Sequence, residues 1–209
     1  MQPKDFVRGF VIGGLVGILI QPILANNLPA HYLAYLTIST RLGIFLFFFF
    51  LAPLALRIAK WLSQWFSGFY QFAQFAAVGT LNSFIDVGIF NLETAVNGTA
   101  LISNGLFAVF KGVSFLCATT NSFFWNKYWT FGSHEKADTK QVSSFYGIAV
   151  IGWVINVAAA TFVKILGPVG STAWVNIAAP LGGVAASFLW DFFGYKYLVF
   201  GKKGKGEKR

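Results

Sequence analysis

The chain has 209 residues, of which 56% are hydrophobic and only 11% charged, with a mean hydropathy of +0.63. A soluble domain carries about 25% charged residues to solvate its surface, so this composition excludes a soluble globular protein and predicts an integral membrane protein. The net charge of +9 does not point to nucleic acid, because the basic residues sit between and beyond apolar runs rather than in a patch of their own.

Six apolar runs approach the roughly 20 residues that cross a hydrocarbon core; they predict helices over 7–25, 42–59, 72–92, 103–125, 144–165 and 174–193. The breakers "ANNLPAH", "NGTA" and "GPVGST" follow the first, third and fifth. Lys4 and Arg8 before the first run, with "ILA" after its core, allow a cleaved signal peptide. Asp5, the lack of a clean A-x-A site and the apolar length favour a retained helix. The third run carries Gly79, Asn82, Asp86 and Glu93 in one stripe flanked by Phe75 and Phe90. The fourth carries Asn104, Lys111, Ser114, Ala118 and Ser122, with Cys117 read as a small buried hydrophobe that has no disulfide partner. The fifth offers Gly152, Asn156 and Ala160, and the sixth Asn176, Gly183, Ser187 and Asp191. Small and polar stripes in membrane helices face other helices, where close approach and hydrogen bonding drive packing. A charge near the bilayer centre costs at least about 2.5 kcal/mol. Asp86 and Lys111, at similar depth, therefore read either as a clip between adjacent helices or as the lining of a polar path.

Orientation follows from the cations. With the N-terminus in the cytoplasm, the inner side receives Lys4, Arg8, Arg57, Lys60, Lys127, Lys136, Lys140, Lys196 and the tail "GKKGKGEKR". The outer side keeps Arg41 and Lys164. This positive-inside asymmetry predicts that both termini are cytoplasmic, in a multi-pass protein of the cytoplasmic membrane.

Part of the chain repeats. "SFFWNKYWTF" at 122–131 echoes "DFFGYKYLVF" at 191–200, and "FAAVGTLNSFIDV" at 75–87 aligns with "FYGIAVIGWVINV" at 145–157. Residues 71–131 and 141–200 thus read as two copies of a two-helix hairpin. An even number of spans per copy makes them parallel, related by an axis along the membrane normal. The expected fold is an all-α bundle of six transmembrane helices: two parallel two-helix repeats plus an N-terminal helical hairpin. The Lys-Tyr segments fall where helices exit toward the cytoplasm. Tyrosine and tryptophan rings prefer that depth, and lysine there snorkels its ammonium into the headgroup layer. Two such lysines, Lys127 and Lys196, with Asn126 and Asp191 close by in sequence, also suit a phosphate.

No Walker loop, GxSxG, HExxH or dinucleotide fingerprint occurs. His31 and His134 fall in predicted loops on opposite sides of the membrane and cannot share a metal. An enzyme is not expected, nor a cofactor or metal.

In order and spacing, "QFAAVGTLNSFIDVGIF", "NSFFWNKYWTF" and "FFGYKYLVF" resemble the GtrA-like family of four-helix membrane proteins, over about residues 70–201. The resemblance divides the chain into a two-helix extension at 1–69, a four-helix domain at 70–201 and a basic tail at 202–209. It implies a role in cell-surface polysaccharide synthesis: moving a polyprenyl-phosphate-linked sugar across the membrane, or anchoring a glycosyltransferase. Asn82, Asp86, Asn126, Lys127 and Lys196 match the family's recurring polar places. Joined to the residue reading, Lys127, Lys196 and Asn126 would hold the lipid phosphate. Asn82, Asp86, Lys111, Asn156 and Asp191 would line the intramembrane path. The expected partners are the sugar-linked lipid, membrane lipid and a membrane-associated glycosyltransferase; a homo-oligomer is left open. The competing reading from another class is a small-molecule or ion transporter using Asp86 as coupling carboxylate.

Overall fold

The computed structural model describes residues 3–97, 104–168 and 179–201. Most of "NGTA" and "GPVGST", Asn176, the tail 202–209 and the side chains of Asn104, Lys111 and Ala160 lie outside the described residues.

Every regular element among the described residues is helical: α1 Pro3–Asn27, α2 Ala30–Leu33, α3 Ile38–Leu62, α4 Phe69–Asn97, α5 Asn104–Trp125, α6 Thr139–Leu166 and α7 Ala179–Gly194. Two five-residue π-helical turns, Asn126–Thr130 and Tyr195–Val199, continue α5 and α7. Among these, α1, α3, α4 and the Thr139–Val163 part of α6 are long and apolar enough to cross a membrane, which makes the chain a multi-pass membrane protein. Four of the helices, α1, α3, α4 and α6, outrun the apolar runs that predict them; α3 begins at Ile38 rather than 42 and α4 ends at Asn97 rather than 92. Backbone hydrogen bonding continues through polar ends that a hydropathy window discards. His31 lies in the connection between α1 and α3, within the four-residue helical turn α2.

The chain forms two packing units, Met1–Thr130 and Phe131–Arg209. In the first, α1 packs on α3 and α4, α4 packs on α5, and the first π turn returns to α4. Lipid tails give no hydrophobic drive between helices, so contact depends on how closely backbones approach. The run Gly9, Gly13 and Gly17 provides that approach: a Cβ at Gly9 would stand 2.8 Å from Pro53 Cα, one at Gly17 3.0 Å from Phe45 Cα, and one at Gly13 would overlap the Phe48 carbonyl. On α4, Gly88 serves α1 likewise, beside Leu19. Ile12, Val16, Leu56, Val78, Leu81 and Trp129 close the core.

At the far end of α1, amide side chains tie the helices together. Asn26 donates to the Asn91 carbonyl at 2.7 Å and Asn27 to Asn91 Oδ1 at 2.8 Å, while Asn91 donates to the Val87 carbonyl. Polar groups in lipid must find protein partners, and these asparagines satisfy one another.

In the second unit α6 packs on α7 and the second π turn. Phe145 is fully buried and stacks on Tyr195 with centroids 4.3 Å apart, while Phe131 stacks on Phe200 at 5.2 Å. Gly194 leaves room for Ile148.

Candidate functional site

Both Lys-Tyr segments leave α-helical geometry at the same place. The π turns hold "NKYWT" and "YKYLV" and lie 69 positions apart. Such turns concentrate at functional sites, because a widened turn redirects side chains and frees backbone groups.

Their internal contacts repeat as well. Phe124 stacks on Tyr128 at 6.4 Å and 11°, and Phe193 on Tyr197 at 6.2 Å and 1°. Lys127 Nζ stands 5.7 Å from the Tyr128 ring centroid and Lys196 Nζ 5.6 Å from that of Tyr197. Gln71 Nε2 donates to the Thr130 carbonyl at 3.0 Å, and Gln141 Nε2 to the Val199 carbonyl at 3.2 Å. Each glutamine, near the start of its hairpin, thus satisfies the last carbonyl of the π turn. The pair is visible in the sequence 70 positions apart, but only its hydrogen bonds show what it does.

The two lysines differ in exposure. Lys127 is 0% exposed, Asn126 1% and Thr130 4%, whereas Lys196 is half-buried. Lys127 therefore does not snorkel as expected: its stem and ammonium are enclosed by protein. Burying a charge is costly without compensation, and the aromatic ring beside Lys127 supplies part of it. Asn126 Nδ2 donates to Ser122 Oγ at 3.1 Å, while Asn126 Oδ1 and Thr130 Oγ1 are buried without a hydrogen-bond partner. A hydroxyl such as that of Thr130 can donate to an anion, and the Asn126 carbonyl can accept from a hydroxyl.

Asp5, which the sequence offered only as evidence for a retained first helix, has a tertiary role that the sequence did not show. It is buried near the start of α1 and accepts a hydrogen bond from Trp129 Nε1 at 2.9 Å. Arg8 pairs with the same carboxylate at 3.2 Å and lies 6.0 Å from the centre of the Trp129 ring. The N-terminal helix thus grips the π turn that carries Lys127. The acid read as evidence against a signal peptide is a tertiary contact.

The intramembrane polar residues resolve into pairs within each unit. Between α4 and α5, Asn121 Nδ2 donates to Asn82 Oδ1 at 2.7 Å and Ser114 Oγ to Asp86 Oδ1 at 2.7 Å. Asn121 was not among the expected stripe residues. Ser114 and Ala118 are buried as that stripe requires, but Cys117 is exposed, on an outward face of α5 and not in the core. Between α6 and α7, Asn156 Nδ2 donates to Ser187 Oγ at 3.2 Å. One turn away the Asp191 carboxylate fills the space that a side chain at Gly152 would occupy, and its Oδ1 is buried without a hydrogen-bond partner. Position 82 in the first hairpin corresponds to 152 in the second. Asparagine fills it in one, and in the other glycine yields it to an acid from the facing helix. Ser114→Ala removes a donor from Asp86 and should cost about 1–2 kcal/mol, read as a shift in the unfolding midpoint of the purified protein in detergent.

Comparison with known proteins agrees with this pattern. Residues 74–200 match the family model described as GtrA/DPMS, transmembrane domain. The uncharacterized membrane protein YngA of Bacillus subtilis (strain 168) is 31% identical over 133 residues, spanning 61% of this chain and 78% of that protein. No solved structure gives a significant match. Residues before 74, which include α1 and α3, lie outside the family match. With the matched segment covering all but the first residues of the first hairpin, the whole of the second and both π turns, the chain belongs to the GtrA/DPMS transmembrane family.

Proposed function

We propose that this protein translocates a polyprenyl-phosphate-linked sugar across the cytoplasmic membrane, acting as a carrier and not as an enzyme, with six spans and both termini in the cytoplasm. The observation that carries the reading is the duplicated π turn with a lysine held against a tyrosine ring. Each hairpin ends in the same cation-bearing turn, a duplicated feature suited to an anionic headgroup. Lys127 and Lys196 would neutralise the phosphate, with Thr130 as a donor. Asn126 Oδ1 faces no donor and is better suited to a hydroxyl than to a phosphate oxygen. Asn82, Asp86, Lys111, Asn156 and Asp191 would form the polar path for the sugar, while the prenyl chain stays in lipid.

The test uses proteoliposomes loaded on one leaflet with a hexosyl prenyl phosphate. The intact protein should equilibrate the lipid between leaflets. Lys127→Met/Lys196→Met, which keeps the aliphatic stems but removes both charges, should slow it at least tenfold at equal protein content. Lipid that stays on the loaded leaflet with the intact protein would instead mark a scaffold for a glycosyltransferase. Proton- or sodium-dependent uptake lost on Asp86→Asn would mark an ion-coupled transporter.

A further inference from the structure

The hairpin outside the family match has a cleft of its own. It opens where α1 begins and α3 ends, has a volume of ≈ 680 Å³, and is lined by Phe6, Arg57, Lys60, Trp61, Ser63 and Gln64. Both cations are exposed. Among the described residues neither Arg57 nor Lys60 forms an ion pair with a carboxylate; the nearby Asp5 is taken by Arg8. Lys60 Nζ lies 5.0 Å from the Tyr70 ring centroid, a contact that orients the ammonium without neutralising it. The Ser63 hydroxyl donates to the Lys60 carbonyl at 2.7 Å and keeps its lone pairs.

The surroundings say which anion belongs there. Trp61, Trp65 and Phe66 are 56%, 59% and 63% exposed at this end of α3. Exposed indole rings at the end of a membrane-crossing helix mark headgroup depth. Two cations and an amide lie beside Phe6 and Trp61, an amphipathic lining that matches a phosphodiester above its glycerol and acyl carbons. Arginine adds bidentate geometry suited to phosphate oxygens.

We infer that the cleft between the start of α1 and the end of α3 binds the phosphate headgroup of an anionic phospholipid, through Arg57 and Lys60. The site lies on the N-terminal hairpin and does not depend on the Lys127–Lys196 reading. It would fasten the hairpin to the anionic leaflet.

The experiment equilibrates the full-length purified protein with equimolar phosphatidylglycerol and phosphatidylcholine of identical chains, then counts retained lipid by native mass spectrometry. The intact protein should retain phosphatidylglycerol at least tenfold over phosphatidylcholine. Arg57→Gln/Lys60→Gln should bring the ratio within twofold of parity. Lys60→Arg should keep the preference, and so should Lys136→Gln/Lys140→Gln, which removes the same charge from exposed positions elsewhere. Parity in the intact protein, a preference that survives the cleft double substitution, or an equal loss in the Lys136/Lys140 control would each overturn the inference.

Discussion

Gly13→Ala lowers stability by about 2 kcal/mol, while Gly14→Ala, one position on, leaves it unchanged or raises it. The same methyl group is added in both cases. At Gly13 it is driven into the Phe48 carbonyl, with Phe49 Cα 3.0 Å away, and a backbone cannot rotate aside. At Gly14 the nearest atom is Phe49 Cδ2 at 3.5 Å, an ordinary contact. Overpacking a tight contact costs about 1–3 kcal/mol, and a methyl in an unobstructed helix gains about 0.5–1 kcal/mol over glycine. The opposite signs isolate the close approach of α1 and α3 from helix propensity. Unfolding of each variant in mixed micelles with increasing denaturing detergent checks it; equal effects at the two positions would mean that α1 does not seat against α3 through Gly13.

The second large effect is expected at Asp5. Asp5→Leu leaves the Trp129 indole N–H and the Arg8 guanidinium without the carboxylate that serves both. Breaking a buried charged pair from one side costs about 3–5 kcal/mol, and partial exposure of Arg8 puts the expected loss near the lower end, about 3 kcal/mol. Asp5→Asn keeps an acceptor for the indole but gives up the ion pair, and should lose about half as much. Leucine and asparagine variants of equal stability would show that the hydrogen bond to Trp129 contributes nothing. Because Trp129 sits two residues from Lys127, the leucine variant should also weaken prenyl-phosphate binding, measured by co-purified lipid. In this way the N-terminal hairpin, though outside the family match, supports the turn on which the proposed function rests.

Much of this molecule was legible in its residues. Membrane residence follows from too little charge to solvate a surface. The placement of the helices follows from apolar length, and the equivalence of Lys127 and Lys196 from a repeated string. These are properties of local composition and order, which do not depend on what packs where. Tertiary structure decided the rest. That Lys127 is enclosed by protein rather than exposed at the helix end, that Asn82 pairs with Asn121, that Asp191 settles into the gap at Gly152, and that Asp5 crosses to Trp129 all depend on which backbones approach. In a bilayer the apolar pattern cannot specify that approach, because lipid and leucine are equally good neighbours. Small residues and scattered polar groups select the partner, and their choice appears only when the helices are assembled.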